Sequence, residues 1–321
     1  MNTKRWFWKV GLFSVLLLIA TGAYSQSNLT YPSKPIRIIV GTPPGSPPDL
    51  VARILGERLG MVLGQPVVVD NLLDLQSVAK SAPDGYTFGI FSTPSAVAPS
   101  VRSVPYNATT DFAPVSQITW GTQILVVSSA SSLKSIDEVT AFAKSKPGQV
   151  RFASGGNFTP AHLAGAFFRL RTGVDIRHVP FNGAVAGVAA VFGGQADFMF
   201  AATGAAMPQI KSGKVRAIAT TATNRLPTMP DLPTMSEIGF RDFDVREFAG
   251  LVAPAGTPHE IVDRIASEIA GIVSSREVKE RFASIGMEAA TQLGPEAFGA
   301  LIRSELAKWS KIVREAGIRA D

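Results

Sequence analysis

The 321-residue chain has no cysteine and only three histidines. Without thiols, disulfide scaffolds, Cys-ligated zinc, iron–sulfur centres and thiol catalysis are excluded. His162, His178 and His259 stand far apart with no ligand spacing among them, so neither a metal site nor a cofactor is expected. Phosphate-loop, G-x-S-x-G and H-E-x-x-H motifs are also missing, since His259-Glu260 is followed by Ile, Val and Asp. Charged residues make up only 17% of the chain against 46% hydrophobic, which excludes a disordered polyelectrolyte. At this length two domains of about 150 residues are expected, each with its own core.

Lys4, Arg5 and Lys9 flank an eleven-residue apolar run, Val10-Gly-Leu-Phe-Ser-Val-Leu-Leu-Leu-Ile-Ala20, with small residues through Ala23-Tyr-Ser25. A spanning helix needs about 20 residues, so 1–25 reads as a signal peptide cleaved near Ser25, which predicts a periplasmic protein. The rival is an uncleaved anchor extended by Trp6, Phe7 and Trp8. The segment carries half of the formal net charge of +6, and without it nucleic-acid binding loses its main support.

From residue 31 onward short β-rich runs alternate with helical patterns, the signature of α/β layering around mostly parallel sheets. Strands are predicted at 36–40, 67–69, 88–91, 124–127, 150–153, 198–200, 215–219 and 250–252. Asp49 is expected to cap a helix that stops at Gly64, and Thr159 and Pro160 to open one that stops at Gly173. Ser135-Ile-Asp-Glu138 and Thr257-Pro-His-Glu260 have capping-box spacing. After Pro254 the pattern is almost wholly helical, over 258–274, 276–285 and 295–315. Helices without strands of their own need a sheet to cover, and the N-terminal sheet is the nearest. The first lobe is therefore expected to be discontinuous, 29–124 plus 251–321, with 125–250 as the second lobe and two extended crossings as a hinge.

Four small-residue loops follow predicted strands and precede predicted helices: Gly41-Thr-Pro-Pro-Gly-Ser-Pro-Pro48, Ser92-Thr-Pro-Ser95, Ser154-Gly-Gly-Asn-Phe-Thr159 and Pro180-Phe-Asn-Gly-Ala-Val185. In open α/β sheets ligands bind outside the carboxyl ends of the strands, where helix amino termini favour carboxylates and phosphates. Hydrogen bonds to a charged group contribute about 1.5–3 kcal/mol each. Four or five therefore reach the roughly 8 kcal/mol of a micromolar ligand before entropy is charged against them.

Tyr31-Pro-Ser-Lys-Pro-Ile-Arg37, Asp49-Leu-Val-Ala-Arg53, Leu63-Gly-Gln-Pro-Val-Val-Val69, Ala82-Pro-Asp-Gly-Tyr86, Asp111-Phe-Ala-Pro-Val115, His162-Leu-Ala-Gly165, Val179-Pro-Phe181, Gly193-Gly-Gln195 and Leu251-Val-Ala-Pro-Ala-Gly-Thr257 occur in an order that resembles the Bug/TctC family. These are the extracytoplasmic solute-binding proteins of tripartite tricarboxylate transporters. The resemblance implies an α/β, two-lobed periplasmic-binding-protein fold of type II kind and a non-enzymatic receptor. Its ligand would be a small organic anion: a di- or tricarboxylate, an acidic amino acid or an aromatic acid. Its partners would be membrane permease subunits or a sensor kinase. Thr42, Pro44 and Gly45 match the family's ligand-facing turn, Ser154, Asn157 and Thr159 its second-lobe stretch, and Phe181 and Gly183 its Pro-Tyr-x-Gly turn. Ser46, Ser92, Thr93, Gly155, Ala184 and Ala201 complete the expected ligand set.

The sequence also departs from that family. Where the family usually has Pro-Gly-Gly-x-x-Asp this chain has Pro44-Gly-Ser-Pro-Pro-Asp49, the family's Gly-rich loop is shortened here after Asn71, and Ala166 and Ala201 occupy positions where acids are common. The pocket is then wider, more apolar, or unable to bind the usual carboxylate. Two rivals follow: a ligand-poor receptor used in protein–protein signalling, and an exported hydrolase or isomerase. The enzyme requires His162 or His178 within reach of a cleft serine and a carboxylate.

Overall fold

The computed structural model describes residues 31–72 and 74–318, so the expected signal segment 1–25 lies outside the described residues. The elements below all belong to one compact unit, Lys34–Asp321.

The first sheet begins with β1 (Ile36–Val40), whose last three residues are fully buried, as expected of a parallel strand covered on both faces. Helix α1 (Pro47–Leu63) opens on Ser46 with prolines in its first two positions, where a missing N–H is tolerated, and closes on left-handed Gly64. Because Pro47 and Pro48 fit that first turn, the cap is Ser46 rather than Asp49, which falls inside the helix. Then come β2 (Val67–Asn71), the short α2 (Gln76–Ala79), β3 (Thr87–Ser92), α3 (Thr93–Val101) and β4 (Phe112–Gly121).

The second sheet takes β5 (Gln123–Ser128), α4 (Ile136–Ser145), β6 (Val150–Ser154), α5 (Pro160–Thr172), β7 (Ile176–Pro180), α6 (Ala184–Phe192), β8 (Phe198–Ala202), α7 (Thr203–Lys211) and β9 (Val215–Thr220). Its strand order is β7-β6-β8-β5-β9, with β6 parallel to β7 and β8 and with β5 antiparallel to β8 and β9. Gly165 lets α5 lie directly on the sheet, since a Cβ there would come within 2.1 Å of the Phe152 ring.

The chain then returns to the first sheet through β10 (Glu247–Pro254), followed by α8 (His259–Ser274), α9 (Arg276–Ser284), β11 (Met287–Ala289) and α10 (Pro295–Glu315). The first sheet reads β11-β4-β10-β3-β1-β2, with β1, β2 and β3 parallel and β10 antiparallel between β3 and β4. Helix α8 buries Val262, Ile265, Ala266, Ile269 and Val273 at helical spacing. The Phe298 ring of α10 lies over Gly250, where a Cβ would meet it at 2.2 Å. The C-terminal helices thus cover the N-terminal sheet.

Three strands escaped the sequence reading. Strand β4 hides Ser116, Gln117 and Thr119 in its interior, edge strand β7 carries Arg177 and His178, and β11 has only three residues. At Ser135 half of the capping box forms, Ser135 Oγ accepting from the Glu138 amide at 3.2 Å, while the Glu138 carboxylate accepts from the Lys134 amide rather than from that of Ser135. The one at Thr257 is not: Pro258 caps α8, and the Thr257 hydroxyl donates to the Pro254 carbonyl at 2.8 Å. Among the described residues no helix is long and apolar enough to cross a membrane.

Candidate functional site

Register alone brings the loop-bearing ends of the two sheets together. In the first sheet Ser92 pairs with Ala249, Phe248 with Trp120 and Glu247 with Gly121, so the carboxyl ends of β3 and β4 are level. In the second, Gln123 pairs with Ala202 and Ser154 with Pro180, so the carboxyl ends of β6, β7 and β8 lie beside the start of β5. Only Thr122 separates β4 from β5. The carboxyl ends of both sheets therefore adjoin that residue, and α1, α3, α5 and α6 each start from such an end.

The first loop is held by Asp49. Its carboxylate, 1% exposed, accepts from the Gly45 amide at 2.8 Å, from Asn71 Nδ2 at 2.9 Å and from both sides of the Arg53 guanidinium. Burial opposes its charge, but the hydrogen bonds from Arg53, Gly45 and Asn71 prevail and hold the carboxyl below its ordinary value. Asn71 also donates to the Thr42 carbonyl, while Thr42 Oγ1 and Ser46 Oγ lie 2.7 Å apart. The Gly45 and Ser46 amides are thus engaged, by Asp49 and by the Pro43 carbonyl, and the four prolines have none. Pro44 is exposed at the tip. Ser46 Oγ in turn donates to the Pro43 carbonyl at 2.7 Å, so the loop's hydroxyls, like its amides, are bonded within the loop. The shortened segment after Asn71 packs against its start, with Asp74 backbone 3.6 Å from where a Gly41 side chain would sit.

Ser92 and Thr93, expected in the ligand set, are 1% and 0% exposed. Ser92 caps α3, and Thr93 Oγ1 accepts from the Phe248 amide at 3.0 Å. They fasten α3 to β10.

The two second-sheet loops are sewn together by backbone. Phe181 N–H donates to the Ser154 carbonyl at 2.9 Å and Gly183 N–H to that of Gly155 at 3.2 Å. Gly155 permits this approach, because a Cβ there would lie 2.9 Å from the Ala184 amide. Thr159 caps α5 and donates to the Gly156 carbonyl, Asn157 is exposed, and Phe181 and Ala184 rest half-buried on the core. Ala201 is 0% exposed within that core, because its position in β8 turns it toward Ile124 and Ala153 rather than an opening.

Ser154, also fully buried, has Oγ 2.6 Å from His178 Nε2 and bonds both the amide and the carbonyl of Gly156. Among the described residues no carboxylate bonds His178. With its oxygen saturated and shielded, the hydroxyl is unsuited to attack. A cavity of about 190 Å³ touches this loop at Asn157 and reaches Ala166; another of about 820 Å³ lies beside edge strand β9.

The seam itself is tied by threonines. Thr203 N–H donates to the Thr122 carbonyl at 3.1 Å, and Thr221 Oγ1 accepts from Gln123 N–H and donates to the Val245 carbonyl. Left-handed Gly286, after α9, meets Gly204, at the start of α7, backbone to backbone; a Cβ on Gly286 would fall 2.2 Å from the Gly204 nitrogen. Beside Gly121, burial pushes the Glu247 carboxyl up to about 7. Sequence reasoning named His178 as a histidine that could reach a serine but missed Asp49 as loop anchor, Asn71 and Glu247. An acid three residues after Ser46 was the one local signal available.

Residues 51–318 match the tripartite tricarboxylate transporter family receptor. The chain is similar to Protein BugT of Bordetella pertussis, 34% identical over 328 residues and 99% of each chain. It resembles the solved periplasmic binding protein BugD with a TM-score of 0.76 at 30% identity, over 91% of this chain and 100% of that one. It likewise resembles MatC from Rhodopseudomonas palustris with bound malate, with a TM-score of 0.76 at 27% identity over 88% of this chain and 100% of that one.

Proposed function

The chain belongs to the tripartite tricarboxylate transporter receptor family and has a two-lobed periplasmic-binding-protein fold; from that premise we propose that it captures a small organic carboxylate between its lobes. The loaded protein then presents its cargo to the permease subunits of a membrane transporter, and it works in the periplasm after export. This reading is supported by strand ends from both sheets that adjoin one seam, with four helices starting from those ends. Malate in a relative of the same fold supports the ligand class.

On this reading Thr42, Ser46, Asn157, Thr159 and Gly183 contact the anion, with Phe181 against its carbon chain. Ser154, Gly155 and Ala184 shape the second-lobe wall, and Pro44 and Gly45 shape the first. The lobes divide near 124 and 250, and closure turns about Thr122 and the start of β10. Titration calorimetry with malate, adipate, glutamate and benzoate should give saturable binding for at least one, with a micromolar constant near 8 kcal/mol. Binding of none, with no compaction in X-ray scattering, overturns the reading.

A ligand-poor receptor acting through protein contacts is the second reading. It is favoured by the engaged amides of Gly45 and Ser46 and by the burial of Ser92 and Thr93. Failure of every carboxylate to raise the melting temperature would support it.

A further inference from the structure

Behind the second-lobe loop two imidazoles lie face to face. His162, on α5, and His178, on β7, have ring centroids 4.0 Å apart with 8° between their planes, and Phe152 continues the stack against His178 at 4.9 Å. Each ring grips one end of the loop. His162 Nδ1 accepts from the Phe158 amide at 3.0 Å, and His178 Nε2 lies 2.6 Å from Ser154 Oγ. Phe158 has a φ of 60°, a left-handed conformation that a non-glycine residue keeps only when its surroundings impose it.

We propose that His162 and His178 are positioning residues, a stacked pair that holds the turn between Ser154 and Thr159 in the shape that receives the ligand. The proposal rests on the reading of this loop as a binding loop. The stack works only with uncharged rings. A proton on His162 Nδ1 would oppose the Phe158 N–H, and two imidazolium rings at 4.0 Å would repel each other. The charged side chain beside them on the wall of the 190 Å³ cavity is Arg169, which donates to the Ala316 carbonyl at 2.6 Å. Among the described residues, the other elements packed there contribute Phe152 and Ser154 of β6 and the Gly317 and Ile318 turn, none of them charged. Burial, with the positive charge of His178 and Arg169 as secondary causes, lowers His162 to about 4, and burial alone lowers His178 to about 4. The grip is therefore present at neutral pH and released in acid.

Three variants separate the hydrogen bond from the ring. His162→Asn keeps an acceptor near the Nδ1 position, His162→Phe keeps a stacking ring without one, and His178→Phe does the same at Ser154. Amide exchange at Phe158, followed by NMR at pH 7, should accelerate about tenfold in His162→Phe and stay near the parent rate in His162→Asn. Ring nitrogen shifts should show an unprotonated Nδ1 on His162 down to about pH 4. With L-malate as probe, affinity should fall about tenfold in His162→Phe and His178→Phe and recover in His162→Asn. Equal Phe158 exchange in the parent and His162→Phe, or a His162 ring that titrates near 6.5, overturns the proposal. Exchange is read without ligand, so a parent chain that ignores malate counts against the carboxylate reading while the exchange comparison still decides this one.

Discussion

The first-sheet loops and the second-sheet loops meet at one seam but are held by opposite kinds of chemistry. Around Gly45 the clamp is ionic: a buried carboxylate gathers an amide, an asparagine and a guanidinium, and prolines stiffen the rest. Around Gly155 the clamp is neutral: backbone sews the two loops together, and uncharged imidazoles support them from behind. The ionic clamp leaves few donors to spare, and around Gly155 the Ser154 and Thr159 hydroxyls both donate to the Gly156 carbonyl while the Asn157 amide stands exposed. The second lobe is thus better placed to read a ligand, and the first to present a fixed wall.

The largest test of that contrast is Asp49→Ala. It removes the acceptor for three partners at once and should cost about 3 kcal/mol in urea unfolding, with a proportionate fall in melting temperature. Next comes Glu247→Gln at the seam between the two regions. Because the folded carboxyl titrates at about 7 against 4.5 when free, the folded chain holds an extra proton between those values. Stability is therefore lost as pH rises from 4.5 through 7, and the variant should exceed the parent by about 3 kcal/mol at pH 8 but match it near pH 4.

The histidine pair has the opposite sign. Its rings bind protons more readily unfolded, so stability falls as pH drops from 6.5 to about 4. In the parent the two effects offset one another over that range. In Glu247→Gln the acid-side loss should stand alone in denaturation curves taken at each pH. Asp49, whose pKa is depressed from 3.8, keeps its contribution until more acid conditions, so the second-lobe clamp should fail first. A smaller effect separates two glycines. Gly155→Ala forces a Cβ toward the Ala184 amide and should cost about 2 kcal/mol and part the two loops. Gly45→Ala has open space around it, and its φ of 78° should make it cost about 1 kcal/mol. Equal losses at the two sites would break the comparison.

The sequence made the layering legible wherever burial was one-sided or complete. Strand β1 reads directly from four apolar residues around Arg37, α8 from its stripe, and the ends of α1 and α5 from Gly64 and Gly173 in left-handed conformation. Strand β4 was illegible because its buried Ser116 finds partners far along the chain, accepting from the Gly294 amide, and no local pattern announces that. The same limit governs the site. Punctuation located all four loops, yet which donors remain free depends on Asn71 reaching Asp49 and His178 reaching Ser154, 22 and 24 residues apart. Ala201 entered the expected ligand set as a position where the resembled family often has an acid, yet here it lies on β8 fully buried in the core.

Gly204 and Gly286 meet backbone to backbone. On the proposed reading, in which the lobes close on a carboxylate, the pair would be a fulcrum beside the meeting line. A methyl on Gly286 would fall 2.2 Å from the Gly204 nitrogen, so Gly286→Ala would part the two backbones at a distance from every residue proposed to meet the cargo.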